Sequence, residues 1–574
     1  MSGAEQLTAA FRRLDATLPL AQFPLPIEGA EALRSLAGSM AHQVRDYLLP
    51  RAARLDAPLL AVVGGSTGAG KSTLVNSILR SQVTRPGVLR PTTKSPVLVC
   101  HPSDEAWFRT EHVLPDLVRT DTQLHDSRAL HIVATEALPP GLALLDAPDI
   151  DSIDDANRSL ARQLLFAADL WLFVTSAARY ADAVPWEYLA TAAERNTVVA
   201  VIVNRCPPGA LSDIGGHLAQ LLSERGLPQA KLFAVAERAL PSDGMVPPGD
   251  VSGIRQWLGQ LTSESGARAQ VAVQSLAGSV RSLDAQLTEL TAGVQRQRDA
   301  LAELRRETVA PYQRAAAAVA EAAGDGSLLR GEILSRWQDL VGTGEFMRSV
   351  EERISAIRDR ISGWFKGEPK VEAMEVAIAD SLTAVLLEAG ERAAEETAAS
   401  WSLTRWGRDI LSAAPHLQRA SEQFPEAAAA AIRAWQTDVL SLVEQQGRGK
   451  RMKARFLAIG TNVVGAALII VVFASTGGLT TAEIGIAGGT SLLAQRLLEA
   501  VFGEDAVRRL AEHARRQLHD RVDDALADEA ARYIQILETL SVAGDATEKL
   551  QAAAADLRDA ARAAFDDLTA PELT

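Results

Sequence analysis

The chain has 574 residues, too many for one hydrophobic core, so two or three structural units are expected. A hydrophobic share of 47% excludes a disordered protein, and a net charge of -14 excludes a general nucleic-acid binder, which needs a cationic excess to release counterions. The two cysteines, Cys100 and Cys206, are far apart and lack metal-ligand spacing, which points to a reducing, cytosolic setting. The N-terminal residues carry neither a basic region nor an apolar run, so no secretory leader is expected.

In chain order, residues 1–56 come first. Leu33, Leu36, Met40, Val44 and Leu48 form an apolar stripe at helical spacing. Such a helix needs a partner, and 1–56 are expected to join a helical stalk. Residues 57–262 alternate short apolar runs with helical stretches. Strands are predicted at Leu59–Val63, Pro96–His101, Ala129–Thr135, Leu142–Asp146, Leu170–Thr175, Thr197–Asn204 and Lys231–Ala236. The pattern predicts an α/β domain with a mostly parallel sheet and helices on both faces.

The first of these strands runs into Gly65-Ser66-Thr67-Gly68-Ala69-Gly70-Lys71-Ser72-Thr73, the candidate nucleotide-binding residues together with Asn204 and Arg205, and then into a helical stretch. This fits G-x-x-x-x-G-K-[ST] between a strand and a helix, the P-loop of nucleoside-triphosphate-binding proteins. Glycines let the backbone wrap a polyphosphate, and N–H groups at the helix start point at it. Lys71 is expected at the β/γ-phosphates and the Ser72 hydroxyl on Mg²⁺. Arg90-Pro91-Thr92-Thr93-Lys94-Ser95-Pro96 occupies the place of a switch, and Thr93, with Thr92 beside it, is the candidate for closing over Mg²⁺ and the γ-phosphate.

Leu142 to Asp146 is an apolar strand ending in a carboxylate, where P-loop proteins contact the Mg²⁺ shell. GTPases continue D-x-x-G. Here Asp149 stands in place of that glycine, and its carboxylate would repel a γ-phosphate, so it must turn away or this loop works differently. The strand Thr197–Val203 runs into Asn204-Arg205-Cys206-Pro207, where GTPases carry N-K-x-D. Asn204 is kept and Arg205 replaces the lysine. Pro207 cannot accept the paired guanine hydrogen bonds, which weakens the choice of GTP over ATP. The last base-contacting loop is expected near Ala236-Glu237-Arg238.

Residues 263–455 are rich in Ala, Leu, Glu and Arg, with little strand signal, and are read as a helical stalk. Leu276, Val280, Leu283, Leu287, Leu290, Val294, Leu301 and Leu304 fall on alternating three- and four-residue steps, with Gln297 in one gap. That is a seam for bundle packing or a coiled coil. Residues 456–503 are apolar and dotted with glycine. Phe456 to Ala474 would span about 28 Å as a helix, close to the ~30 Å of bilayer hydrocarbon. Arg448, Lys450, Arg451, Lys453 and Arg455 precede it, as on a cytosolic membrane flank facing anionic lipid. Gly485 and Gly489 suit close helix approach in the second half, where Arg496 and Glu499 favour shallow insertion. The expectation is a membrane hairpin, against a buried hairpin at the tip of a bundle. Residues 504–574 return to helix, with a stripe at Val507, Leu510, Ala514, Leu518, Val522 and Leu526. No metal or nucleophile cluster of histidine, cysteine and carboxylate is visible.

The P-loop, the 90–96 switch, the strand into Asp146-Ala147-Pro148, the flanking helices and an apolar tip in a helical stalk together resemble the bacterial dynamin-like large GTPases. The strings Leu145-Asp146-Ala147-Pro148-Asp149-Ile150-Asp151-Ser152 and Ser475-Thr476-Gly477-Gly478-Leu479-Thr480 are similar to a membrane-associated branch. The motif resemblance covers the GTPase-like domain; over the helical half it is architectural. It implies binding of GTP (or ATP) with Mg²⁺, self-association through the GTPase domain and stalk or pairing with a paralogous dynamin-like partner, and remodelling of membrane lipid from the cytoplasmic face. Lys71, Ser72, Thr93, Asp146 and Asn204 inherit roles by position. Thr67 stands where the family often has a glutamine that orients the attacking water. Two other readings remain. One is a nucleotide-binding membrane scaffold with little hydrolysis, the other a helical P-loop NTPase without membrane contact. An ABC-type ATPase is disfavoured, because Ala147 stands where its glutamate belongs.

Overall fold

The computed structural model describes residues 2–84, 95–110, 113–124, 126, 128–152, 155–180, 182–207, 209, 211–263, 265–324, 371–446 and 504–569. The 90–96 switch up to Lys94, with Thr92 and Thr93, and the hairpin 456–503 lie outside the described residues. Among the described residues no helix is long and apolar enough to cross a membrane. The chain forms two compact units.

The first unit comprises 1–23, 28–296 and 542–574. Helices α1 (Gly3–Thr17), α2 (Ala30–Gln43) and α3 (Leu49–Ala53) precede strand β1 (Leu59–Gly65) and helix α4 (Lys71–Leu79). Then come β2 (Val97–Cys100), α5 (Glu105–Arg109), β3 (Val118–Thr120), β4 (Ala129–Ala134), β5 (Leu142–Asp146), α6 (Asp155–Phe166) and β6 (Leu170–Ser176). Helix α7 (Ala183–Glu194), β7 (Val198–Cys206), α8 (Leu211–Glu224), β8 (Lys231–Ala236) and α9 (Pro248–Ser263) complete the nucleotide-type fold.

The sheet order is β3-β4-β2-β5-β1-β6-β7-β8. Every pair is parallel except β2–β5, which is antiparallel. The sequence reading finds seven of these strands and misses β3. That strand is short, its middle residue is Arg119, and it is an edge strand, so no apolar alternation marks it.

β1 lies mid-sheet and is buried at every residue, as an apolar parallel strand covered on both faces should be. Leu59, Ala61 and Val63 join Leu74, Val75 and Ile78 of α4 and Val251 and Ile254 of α9 in one core. Gly64 points to the opposite face, where a Cβ would lie 3.1 Å from Leu165 of α6. Helices therefore cover both faces, as expected.

Helix α10 (Ser265–Gly324) runs on from this unit. Leu276, Val280, Leu283, Leu287, Leu290 and Val294 of its seam are all buried. Gln297, which fills the gap in that seam, is buried too. The second unit comprises 24–27 and 297–541, with the rest of α10, α11 (Val371–Ser402), α12 (Arg405–Ala413), α13 (Phe424–Gln446) and α14 (Glu504–Thr539). Aromatic side chains tie these helices together. Trp401 Nε1 donates to the Leu304 carbonyl at 3.1 Å, Trp435 Nε1 donates to Ala514 at 2.9 Å, and the Trp401 and Tyr533 rings meet edge-on at 5.3 Å. The α14 stripe from Val507 to Leu526 is buried.

The final helix, α15 (Ala546–Thr569), belongs to the first unit and packs on α1. The approach is close: a Cβ at Gly3 would lie 2.5 Å from Ala564 Cα. The sequence reading assigns 1–56 and 504–574 to the stalk. The described residues of 1–23, 28–56 and 542–569 group instead with the P-loop. An apolar stripe says that a helix has a buried face; it does not say which neighbour covers it.

Candidate functional site

The P-loop connects β1 to α4 and has the backbone that its glycines allow. Gly65, Gly68 and Gly70 have φ of 148°, 75° and 89°. A Cβ on Gly65 would meet the Val174 carbonyl of β6 at 1.9 Å, and one on Gly70 would meet Asn204 Nδ2 at 2.5 Å. Gly65 therefore demands glycine on grounds of backbone contact as well as conformation, and Gly70 through its left-handed φ. Helix α4 begins at Lys71, so its free N–H groups face the loop.

The Lys71 ammonium is almost fully buried. It donates to the Gly65 carbonyl at 2.9 Å and the Ser66 carbonyl at 3.2 Å, and it pairs with Asp149. Asp149, in place of the expected glycine, thus turns toward the loop rather than away from it. Two residues on, Asp151 Oδ1 accepts from both the Thr67 N–H and the Thr67 hydroxyl at 2.6 Å. Arg179, just past β6, reaches Asp151 at 2.9 Å, Asp182 at 2.8 Å and the Thr67 carbonyl at 3.3 Å. Burial raises the Asp151 carboxyl, but the two Thr67 hydrogen bonds and the Arg179 charge outweigh it and hold it below its ordinary range.

Ser72 Oγ donates to Asp146 Oδ2 at 2.7 Å. This brings together two of the three residues expected at Mg²⁺; the third, Thr93, lies outside the described residues. Burial pushes the Asp146 carboxyl up, against the Ser72 hydrogen bond and the Lys71 charge. Its Oδ1 is buried and has no hydrogen-bond partner among the described residues. An orphaned carboxylate oxygen beside a hydroxyl fits a hard divalent cation that takes oxygen ligands and keeps several waters. Thr84 Oγ1 donates to the Ser72 carbonyl at 3.2 Å and holds the start of α4 from the segment that leads into the 85–94 stretch.

At the base end, Asn204 Nδ2 donates to the Ala69 carbonyl at 2.8 Å, so the end of β7 braces the P-loop. Arg205 is exposed, with a left-handed φ of 52°. Pro207 is exposed and offers no side-chain acceptor. Glu237 N–H donates to the Cys206 carbonyl at 2.8 Å, which sets the start of the 236–238 loop beside Asn204–Pro207. The sequence reading therefore locates Gly65 to Ser72, Asp146 and Asn204 in one place. Sequence reasoning misses the pairing of Asp149 and Asp151 with the loop and misses Arg179 altogether. The two aspartates are visible in the Asp146–Ser152 string, but Arg179 has no sequence signal beyond its place after a strand.

A second cluster corrects the expectation that no metal-type grouping exists. His42, Asp46 and Asp116 bring one ring nitrogen and two carboxylate oxygens within 4.8 Å of one another. Asp46 is buried, with Oδ2 bonded to Gln163 Nε2 at 2.7 Å. Sequence spacing hides the group because Asp116 arrives from a loop far along the chain.

No family model matches the sequence, and no curated protein does. Among solved structures, the chain is similar to bacterial dynamin-like GTPases over most of its length. One belongs to an oligomerised bacterial dynamin pair described as sensing and tethering membranes. It is 10% identical, covering 97% of this chain and 95% of that one, with a TM-score of 0.41. A second structure from the same pair is 10% identical over 94% of each chain, with a TM-score of 0.41. LeoA, a bacterial dynamin GTPase from ETEC, is 11% identical over 98% of each chain, with a TM-score of 0.23.

Proposed function

We propose that this chain is a dynamin-like GTP-binding protein that hydrolyses GTP to drive self-assembly and the bending, fusion or stabilisation of a membrane. The observation that carries the reading is the convergence of the Lys71 ammonium, the Ser72–Asp146 pair and the Asn204 brace on one glycine-built loop at the head of α4. That arrangement suits a polyphosphate at the helix start, with Lys71 on its β/γ end. Ser72 and Asp146 would hold Mg²⁺, which would neutralise charge on the phosphates. In hydrolysis, water adds to the γ-phosphorus, the bond to the β-phosphate oxygen breaks, and GDP and phosphate leave. Thr67 and Thr93 are the residues proposed to orient that water and close over the γ-phosphate. The basic flank Arg448–Arg455 and the apolar stretch 456–502 support insertion into anionic lipid at the cytoplasmic face of the cell membrane.

A specific observation favours a second reading, a nucleotide-binding membrane scaffold with little turnover. Asp149 already occupies Lys71, and the Thr67 hydroxyl is already bonded to Asp151. Phosphate release from GTP with and without liposomes separates the two. Stimulated turnover supports the enzyme, and bound GTP without phosphate release supports the scaffold. Lys71→Ala should abolish binding of labelled GTP; unchanged affinity would show that the loop is not the site. Deleting 456–502 should release the protein from anionic liposomes in flotation while GTP binding stays. Continued flotation would move the membrane contact elsewhere, and no flotation of the intact chain would favour a helical NTPase without membrane contact.

A further inference from the structure

We infer that Asp149 and Asp151 form an internal carboxylate plug that occupies two anion donors of the P-loop, the Lys71 ammonium and the Thr67 N–H, so that a nucleotide takes up these donors only by displacing it. The inference rests on the nucleotide-binding reading above. It deepens that reading by naming what holds the site shut.

The donors can be counted. A lysine ammonium has three N–H bonds to give. In Lys71 they go to Gly65 O, Ser66 O and Asp149 Oδ1. The two carbonyls belong to the loop itself and have nowhere to go. Gly65 is laid against Val174 of β6, and Ser66 O also accepts the Ala69 N–H at 3.2 Å. Asp149 is the partner that can leave, since its side chain is 37% exposed against 6% for Lys71.

The Thr67 N–H is the second donor. P-loops present such backbone amides to phosphate oxygens. Here it is spent on Asp151, together with the Thr67 hydroxyl. Arg179 holds that carboxylate from its other side at 2.9 Å. Ile150, between the two aspartates, donates its N–H to Gly65 O at 3.4 Å. The 149–151 segment therefore lies along the loop as an anion would, with a carboxylate at each end. A polyphosphate brought to the same donors meets two negative charges at contact range, so binding requires the segment to move.

The test is titration of the full-length protein with a fluorescent, non-hydrolysable GTP analogue in Mg²⁺, read by anisotropy. Wild type is compared with Asp149→Asn, Asp149→Ala, Asp151→Asn and Lys71→Ala, each checked for a wild-type circular dichroism spectrum. The near-isosteric Asn variants keep the shape and remove the charge. Expected is at least tenfold tighter binding in both Asn variants and no binding in Lys71→Ala. If the alanine variant loses its fold, the isosteric pair still decides. Unchanged or weaker binding in Asp149→Asn and Asp151→Asn, with wild type binding and Lys71→Ala not, overturns the plug and leaves the nucleotide site standing. No binding by wild type or any variant overturns the nucleotide reading and the plug with it.

Discussion

Asp169 is fully buried just before β6 and gathers the foundations of β1. Its Oδ2 accepts the Leu60 N–H at 2.8 Å and pairs with the Arg51 guanidinium, and its Oδ1 accepts the Tyr47 hydroxyl at 3.2 Å. Arg51 also donates to the Ala57 and Pro58 carbonyls at 3.0 Å. Asp169→Ala leaves the guanidinium buried and unpaired and strips the Leu60 N–H of its side-chain acceptor. Breaking such a pair from one side costs about 3–5 kcal/mol, a large share of a domain's stability of ~5–15 kcal/mol. A loss of ~4 kcal/mol is roughly a thousandfold in the local opening equilibrium, since about 1.4 kcal/mol is tenfold. Hydrogen exchange of the 59–65 amides should therefore speed up by about that factor. This local readout does not need the two-unit chain to unfold in one step. The double variant Arg51→Met with Asp169→Leu removes both charges and should recover part of the loss. It still leaves the Leu60 N–H, the Tyr47 hydroxyl and the Ala57 and Pro58 carbonyls without these partners, and each buried group left unsatisfied costs about 1–3 kcal/mol. A double variant as unprotected as Asp169→Ala, or a single variant costing less than about 1 kcal/mol, would refute the reasoning.

Three further outcomes are expected. Gly65→Ala drives a Cβ to 1.9 Å from the Val174 carbonyl at a φ of 148°, so it should abolish GTP binding. It should also lower the thermal midpoint, through about 3 kcal/mol or more of strain and strand separation; a wild-type melting curve would contradict this. Burial raises the Asp46 carboxyl to about 6, against the Gln163 hydrogen bond, so the fold favours its protonated form. That stabilisation is complete below about pH 4 and is lost as pH rises through about 6. Asp46→Asn should therefore be more stable than wild type by about 1–3 kcal/mol at pH 7.5 and lose the advantage near pH 4. Melting curves across that range check it, and a difference independent of pH sinks it. With Pro207 offering no acceptor, GTP should outcompete ATP by far less than a thousandfold in a competition assay. A larger ratio would mean that another residue reads guanine.

What the sequence determines by itself is local. The P-loop is legible because a strand, a glycine loop and a helix start are written in consecutive residues, and glycine tolerates the φ values that the wrap requires. The α10 and α14 faces are legible because helical period alone decides which side chains turn inward. Only the tertiary structure decides what comes from far along the chain. It sets β2 antiparallel to β5, places the edge strand β3, packs α15 on α1 within the P-loop unit, and brings Arg179 to Asp151 and Asp116 to Asp46. The sequence reveals that a carboxylate replaces glycine at Asp149. Whether that carboxylate turns from the loop or onto it depends on where β5 delivers it relative to Lys71, and that depends on strand order, which periodicity does not encode.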